Sequence, residues 1–377
     1  MFITKLMTKK KILIISRGFH PEISPRSFRT TELAKELARQ GHEVTVWLPD
    51  KGMDYTDLEQ KNNLKVHYMG KLHWKAIPIS GRFSMLKRAF RRALLLFFEY
   101  PNIEMMFMVN RSLRNLPMDS DYDLLISIAV PYPIHWGVAM ARSPKRPLTK
   151  TWVADCGDPY MGDTNDSFRK LFHFKYVEKW FSRKTDYITI PRIEMISQYY
   201  PEFHTKIRAI PQGFQMDGNL LEKYIKNKVP TFAFAGGFIR TTRDPTELLK
   251  YLKSYNKDFR FYIFTRDAGL VLPFKRELGN KLIIQDFIPR DKLLKQLSKM
   301  DFLINIGYDP ATQSPSKLID YAISGRPILN ITSTLNKKII NEFLNGDYTH
   351  AHKMENLEQY DIRNVAHQFI ELADSQT

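Results

Sequence analysis

The first fifty residues carry the constraint that the rest of the chain must satisfy. Residues 11–16 (Lys-Ile-Leu-Ile-Ile-Ser) are a short, continuous apolar run of the kind that forms a buried strand. A loop with Gly18, Pro21 and Pro25 follows. Phe28, Leu33, Ala34, Leu37 and Ala38 then recur at helical spacing through residues 26–39, and Gly41 ends the helix. Residues 42–48 (His-Glu-Val-Thr-Val-Trp-Leu) read as the next strand. Strand, helix and strand in so short a length form a βαβ unit of a doubly wound sheet.

The same alternation continues. Strands are expected at residues 123–130, 150–155, 187–191 and 206–210. Helices are expected at 82–100, 136–142 and 168–182 and from 191 to 200, with 131–135 as a loop. Residues 215–229 are polar and Lys-rich and read as a linker. The pattern restarts at residues 231–235, followed by Gly236-Gly237, with further strands at 259–264, 282–284 and 301–307. Helices are expected at 244–255, 291–299 and 357–373. A chain of 377 residues suits two domains. The expected class is α/β, with two Rossmann-like doubly wound domains facing a cleft. The expected boundaries are 1–214, a linker at 215–229, 230–354, and a C-terminal segment 355–377 able to return to the first domain. In such sheets ligands bind beyond the carboxyl ends of the strands.

Composition narrows the function classes. Apolar residues make up 43% and charged residues 26%, a soluble globular balance. One cysteine, Cys156, excludes an internal disulfide and a Cys-based zinc site within one chain. The apolar run at 93–98 is far short of the ~18 residues that span a bilayer, and residues 1–11 lack a signal-length apolar core. A cytoplasmic location is therefore expected. The net charge of +17 calls for an anionic partner: nucleic acid, anionic lipid or a phosphorylated substrate. No helix-turn-helix, Cys/His finger or RNA-binding aromatic signature is legible, so nucleic acid is not expected. Arg82, Lys87, Arg88, Arg91 and Arg92 occur with no acid before Glu99, while Phe83, Leu86, Phe90, Leu94 and Phe97 form a stripe. This is a basic amphipathic helix. Either its stripe packs on its own domain, or residues 82–98 dock on an anionic membrane surface, the inner face of the plasma membrane.

Residues 301–327 hold the most informative local pattern. An apolar strand leads through a polar loop into a helix with both ends marked. Ser314 suits the N-cap, Pro315 the first helical position, Gly325 the left-handed closing residue, and Pro327 prevents continuation. Lys317 lies in the first turn, at the positive end, where a cation costs ~0.3–1 kcal/mol. An anionic ligand reverses that sign, since free amides and dipole both favour it. The alternative is a solvated Lys317 paired with Asp320, one turn on.

The run Pro315-Ser316-Lys317-Leu318-Ile319-Asp320-Tyr321, followed by Ser324-Gly325-Arg326-Pro327, resembles the donor-site helix of GT-B glycosyltransferases, specifically retaining family 4. The resemblance covers most of the chain and is best at residues 11–48, 187–214 and 301–330. It implies a donor site that includes Ser314, Ser316, Lys317 and Asp320, with Asp320 holding the donor ribose in place of the family's second Glu. The family's first Glu falls at Thr312. Arg240 and Arg243 follow Gly236-Gly237, and two guanidiniums beside a glycine turn can clamp a diphosphate. The resemblance gives Arg240 and Arg243 that role beside Gly237, and puts Phe287 and Ile288 at the nucleotide base. Asp158-Pro159-Tyr160 resembles an Arg-Asp-Pro-Trp run of the family, with Gly157 for the Arg. Asp158 is thus a candidate to position or deprotonate an acceptor hydroxyl. The alternative for Asp158 and its neighbours Asp155, Asp163 and Asp166 is turn and capping chemistry. His135, on the loop expected after the fourth strand, is the second catalytic candidate, with a structural imidazole as its alternative; His20 sits on a similar loop. No Ser-His-Asp grouping and no Walker loop is present.

The resulting expectation is a retaining glycosyltransferase. It would move a sugar from a nucleoside-diphosphate donor to a glycan or lipid-linked acceptor, in surface polysaccharide synthesis, without metal or cofactor. The competing readings are a GT-B nucleotide-sugar epimerase and a catalytically inactive sugar-nucleotide-binding scaffold.

Overall fold

Two all-parallel sheets are built from residues 8–81, 83–117, 121–162, 169–216, 221–307, 316–332 and 334–375, which the computed structural model describes. The first contains β1 (Lys11–Ile15), β2 (Glu43–Leu48), β3 (Lys65–Tyr68), β4 (Leu124–Ile128), β5 (Thr151–Asp155), β6 (Tyr187–Ile190) and β7 (Ile207–Ala209). Its strand order is β3-β2-β1-β4-β5-β6-β7. The second contains β8 (Thr231–Ala235), β9 (Arg260–Phe264), β10 (Leu282–Gln285), β11 (Phe302–Ile306) and β12 (Ile328–Ile331), in the order β10-β9-β8-β11-β12. The order reverses beside β1 and beside β8, which makes β1/β4 and β8/β11 the switch points of the two sheets.

Continuous apolar strands follow from burial on both faces. β4, β5, β8 and β11 are buried along their whole length. In β1, Leu13 and Ile15 face a layer with Trp136, Trp152 and Phe181. Ile12 and Ile14 face the other layer, with Leu33, Leu37 and Phe369. Phe369 belongs to the last helix, Ile362–Asp374, which Asp361 caps by accepting from the Arg363 N–H. That helix packs on Pro25–Arg39, and the chain enters it through backbone bonds between Phe214 and both Tyr360 and Ile362.

The chain thus divides into one unit of Met1–Gln215 with Gln359–Thr377, and a second of Met216–Glu358. Residues 221–229 differ from the expected linker. Tyr224 Oη donates to Asp301 Oδ1 (2.6 Å), the Asn227 N–H donates to the same oxygen (3.2 Å), and the Arg326 guanidinium covers the Tyr224 ring at 3.5 Å. Tyr224 and Asn227 there satisfy a buried carboxylate.

Local boundaries shift in two informative places. The stretch 191–206 winds as two 3-10 helices, Ile193–Gln198 and Pro201–Lys206. A helix not expected from the sequence, Glu104–Arg114, buries Met105, Val109 and Leu113 against Pro133–Ala141. Gly137 permits that approach: a Cβ there would lie 2.7 Å from the Met106 carbonyl oxygen.

The helix Phe174–Lys184 places Glu178 beneath the loop after β5, where its carboxyl accepts from the backbone N–H groups of Tyr160 and Met161. Burial raises its pKa from an ordinary 4.5 to about 7, against those two bonds. The folded chain therefore holds a proton that the unfolded chain releases, and stability falls as pH rises from ~4.5 to ~7, by on the order of 3 kcal/mol from this group. Glu178→Gln should remove this slope. Denaturant titrations at pH 5 and pH 8 should show the wild type losing more stability than the variant over that interval.

Candidate functional site

At the carboxyl ends of β8 and β11, two glycines turn the chain. Gly236 has φ +137° and Gly307 has φ +153°, a region that side chains rarely adopt. Ile239 and Arg243 exchange backbone hydrogen bonds (3.3 and 2.7 Å), closing residues 239–243 into a tight turn. That turn directs Arg243 back to Gly307, where a Cβ would sit 3.6 Å from Arg243 Cγ. Arg240 is exposed within the turn. A side chain at Gly237 would meet nothing within 4 Å, so open space lies over the turn.

Lys317 reaches the same place from the first turn of the helix Ser316–Ile323. Its Nζ donates to the Ile306 carbonyl (3.3 Å) and lies over the Phe234 ring at 4.6 Å. Burial, with the charge of Arg243 adding to it, lowers the amine pKa from 10.5 to about 7. The helix is held in register by Tyr321, whose Oη accepts from the Ala235 N–H (2.7 Å) at the end of β8. It closes at Gly325, with φ +68°. Glycine turn, guanidinium and lysine thus meet where the strand order reverses, an arrangement suited to a diphosphate.

Asp320 does not pair with Lys317. Arg290 Nε donates to its Oδ1 (2.7 Å); burial raises the Asp320 pKa, and Arg290 opposes that rise. Phe287, three residues before Arg290, is exposed and carries the Arg266 guanidinium over its ring at 4.3 Å. Ile288 is half-buried, packed on the layer that holds Leu318 and Tyr321. Arg266 and Arg290 escaped notice in the sequence; their position just beyond β9 and β10 was the available signal. Ser314, Pro315 and Thr312 lie outside the described residues, and Ser316 opens the helix.

In the first unit the end of β5 is organised by charge. Arg29 donates to Asp155 through Nε (3.1 Å) and Nη2 (2.7 Å), and Thr189 Oγ1 donates to Oδ1 (2.7 Å). Burial opposes ionisation of Asp155, but Arg29 and Arg26 hold its pKa below the usual carboxylate value. Arg26 also fills the space beside Gly157, where a Cβ would fall 1.1 Å from Arg26 Nη2. A guanidinium from the first helix thereby occupies the volume of the missing side chain at 157. Asp158 is exposed in this loop, and its carbonyl accepts from Tyr132 Oη (2.6 Å). Asp163 and Asp166 lie outside the described residues.

His135 is not on a loop. Pro133 occupies the first helical turn, so the helix Pro133–Ala141 starts before His135 and turns it inward. The imidazole is fully buried, with Nδ1 2.8 Å from Ser127 Oγ and Nε2 3.6 Å from Cys156 Sγ. Burial lowers its pKa to about 3. A neutral, enclosed imidazole has no access to an acceptor, and the catalytic role expected of it is withdrawn. His20 stays exposed on the loop after β1. Among the described residues, no group of three or more His, Cys, Asp or Glu is placed to hold a metal ion.

No protein-family model and no curated protein matches the chain. Solved structures do. The lipopolysaccharide outer core galactosyltransferase WaaB is similar over 97% of this chain and 100% of its own, at 11% identity and TM-score 0.57. HepE of Anabaena, solved with UDP and glucose, is similar over the same shares, at 11% identity and TM-score 0.58. A glycosyltransferase of Rickettsia africae covers 98% of this chain and 99% of its own, at 12% identity and TM-score 0.58. At such identities the likeness is one of fold: two parallel α/β sheets, with GT-B glycosyltransferases as structural neighbours.

Proposed function

We propose that the protein is a retaining glycosyltransferase that takes a sugar from a nucleoside-diphosphate donor and passes it to a glycan or lipid-linked acceptor. The observation that carries this reading is the crowding of Arg243 and Lys317 at the ends of β8 and β11, where burial and the charge of Arg243 disfavour the charged amine of Lys317. The HepE structure, with UDP and glucose bound in the same fold, supports a donor of this type. The name of WaaB supports a surface-polysaccharide setting.

In this reading the bond from the anomeric carbon to the diphosphate oxygen breaks and its electron pair stays on the diphosphate. Arg243, Lys317 and the amides of the Ser316–Ile323 helix stabilise that charge as it develops. This compensation leaves a divalent ion unnecessary. The acceptor oxygen bonds to the same face of the sugar, and its proton passes to a base, for which Asp158 is the exposed candidate. Arg240 adds an exposed cation, Asp320 meets the ribose hydroxyls beside Arg290, and Phe287 and Ile288 border the base.

A thermal-shift screen of nucleoside-diphosphate sugars tests the whole reading, because a ligand at 100 times its Kd adds ~2.7 kcal/mol. No shift with any donor would overturn it. With the donor identified, Arg243→Ala should weaken binding by ~1.5–3 kcal/mol, about ten- to a hundredfold by calorimetry. Asp158→Asn should lower kcat while donor affinity stays within about twofold; retained turnover would release Asp158 from the role of base. Incubation of donor alone separates transfer from epimerisation, which needs no acceptor.

Lys317 adds a pH signature. Its amine is charged below pH ~7 and neutral above, and a diphosphate raises its pKa. Binding at pH 8 should therefore take up close to one proton, and affinity should fall as pH rises above ~7. Calorimetry in buffers of different ionisation enthalpy should show the uptake in the wild type and not in Lys317→Met.

A further inference from the structure

The helix Ser84–Phe98 lies on the first unit without burying a single residue. Phe83, Leu86, Phe90 and Phe97 share one face, by their spacing of three, four and seven. That face points outward: these four side chains are 53–68% exposed, and Met85 and Phe98 are 82% and 61% exposed. Leu94, the fifth residue of the stripe, is half-buried, so the stripe is open along most of its length and not packed on its own domain there. Phe172 and Tyr176 extend the apolar surface, at 78% and 67% exposed. His173 Nε2 donates to the Phe97 carbonyl (3.1 Å), which holds the Phe172 segment against the end of the helix. Single exposed apolar residues are ordinary, but a contiguous set of this size marks a contact surface.

The charge pattern selects the partner. The helix Ser84–Phe98 contains no acid, and Arg88 and Arg91 are exposed, Arg91 on the flank of the stripe by helical spacing. Lys87 reaches the Ser80 carbonyl (3.0 Å). The next acid, Glu99, is buried and receives Lys170 Nζ on both oxygens at 3.1 Å, so it does not neutralise the outer face. A second copy of this chain, meeting face to face, would bring arginines against arginines at a net charge of +17 each. An anionic leaflet offers what the surface lacks: negative charge to attract Arg88 and Arg91, and an acyl boundary for the aromatic and aliphatic stripe.

We propose that the helix Ser84–Phe98, together with Phe172 and Tyr176, docks the protein flat on an anionic lipid bilayer. At ~1.5 Å per residue the helix is about 22 Å long, and it lies along the surface instead of crossing it. No helix among the described residues is long and apolar enough to span a membrane. The purpose of docking, delivery of a lipid-linked acceptor, rests on the proposed function; the binding does not.

Sedimentation of the full chain with phosphatidylcholine vesicles, with and without phosphatidylglycerol, tests this. Binding should require phosphatidylglycerol and weaken from 50 to 500 mM salt as screening shortens the field. Arg88→Gln with Arg91→Gln should lower the partition coefficient roughly 25-fold, about fivefold for each cation. Leu86→Ser with Phe90→Ser should release the protein while leaving every cation in place. All four residues are exposed, so both variants should unfold at the wild-type temperature and keep wild-type nucleotide-sugar affinity. That affinity reads the donor site separately from the membrane face. Wild type left in the supernatant with phosphatidylglycerol at 50 mM salt would overturn the proposal. So would binding that survives Leu86→Ser with Phe90→Ser. A concentration-dependent dimer in analytical ultracentrifugation, abolished by the same pair, would assign the surface to a second copy instead.

Discussion

The buried ion pair of Arg29 and Asp155 is the interaction on which the first unit turns. Two charges removed from water are costly unless the geometry is close and the remaining polar atoms are bonded. Both conditions are met. The guanidinium engages both carboxylate oxygens, Thr189 supplies another donor, and Arg29 also donates to the carbonyls of Ile210 and Pro211. One pair therefore ties the first helix, the ends of β5 and β6, and the segment after β7 into a single edge. The loop that carries Asp158 leaves from that edge. Breaking such a pair from one side costs ~3–5 kcal/mol because the other charge stays buried.

The second unit treats charge in two opposite ways. Away from the carboxyl ends of its strands, Asp301 is buried and fully engaged by Tyr224, Asn227 and Thr231. This bonded arrangement holds Tyr224 and Asn227 against the sheet. At the carboxyl ends, burial and the charge of Arg243 disfavour the charged form of Lys317, and a side chain at Gly237 would meet nothing within 4 Å. Local free energy is given up at one end of the sheet and secured at the other. Sites that must receive a charge are commonly built this way.

The loop after β5 joins these themes. Glu178 holds it from below through the amides of Tyr160 and Met161, and Tyr132 holds it through the Asp158 carbonyl. Arg26 packs against Gly157 from the side. Asp158 is exposed on a rigid support, the condition a general base requires if its distance to a substrate hydroxyl is to be fixed.

The sequence by itself determined the strands other than β3 and β12, the glycine turns, the two-sheet organisation and the position of Lys317 at a helix start. These depend on local periodicity and on backbone conformations that only certain residues adopt. Tertiary structure decided the rest, because partners lie far apart in the chain. Arg29 meets Asp155 across 126 residues, and Arg290 meets Asp320 across 30. His135 was exchanged from candidate to core residue by a helix that starts three residues earlier than its apolar pattern. For residues 83–98 the periodicity defined the stripe, yet a stripe has the same spacing whether a domain or solvent lies opposite. Only packing could turn Phe83, Leu86, Phe90 and Phe97 outward, since the neighbouring surface leaves that face of the helix uncovered.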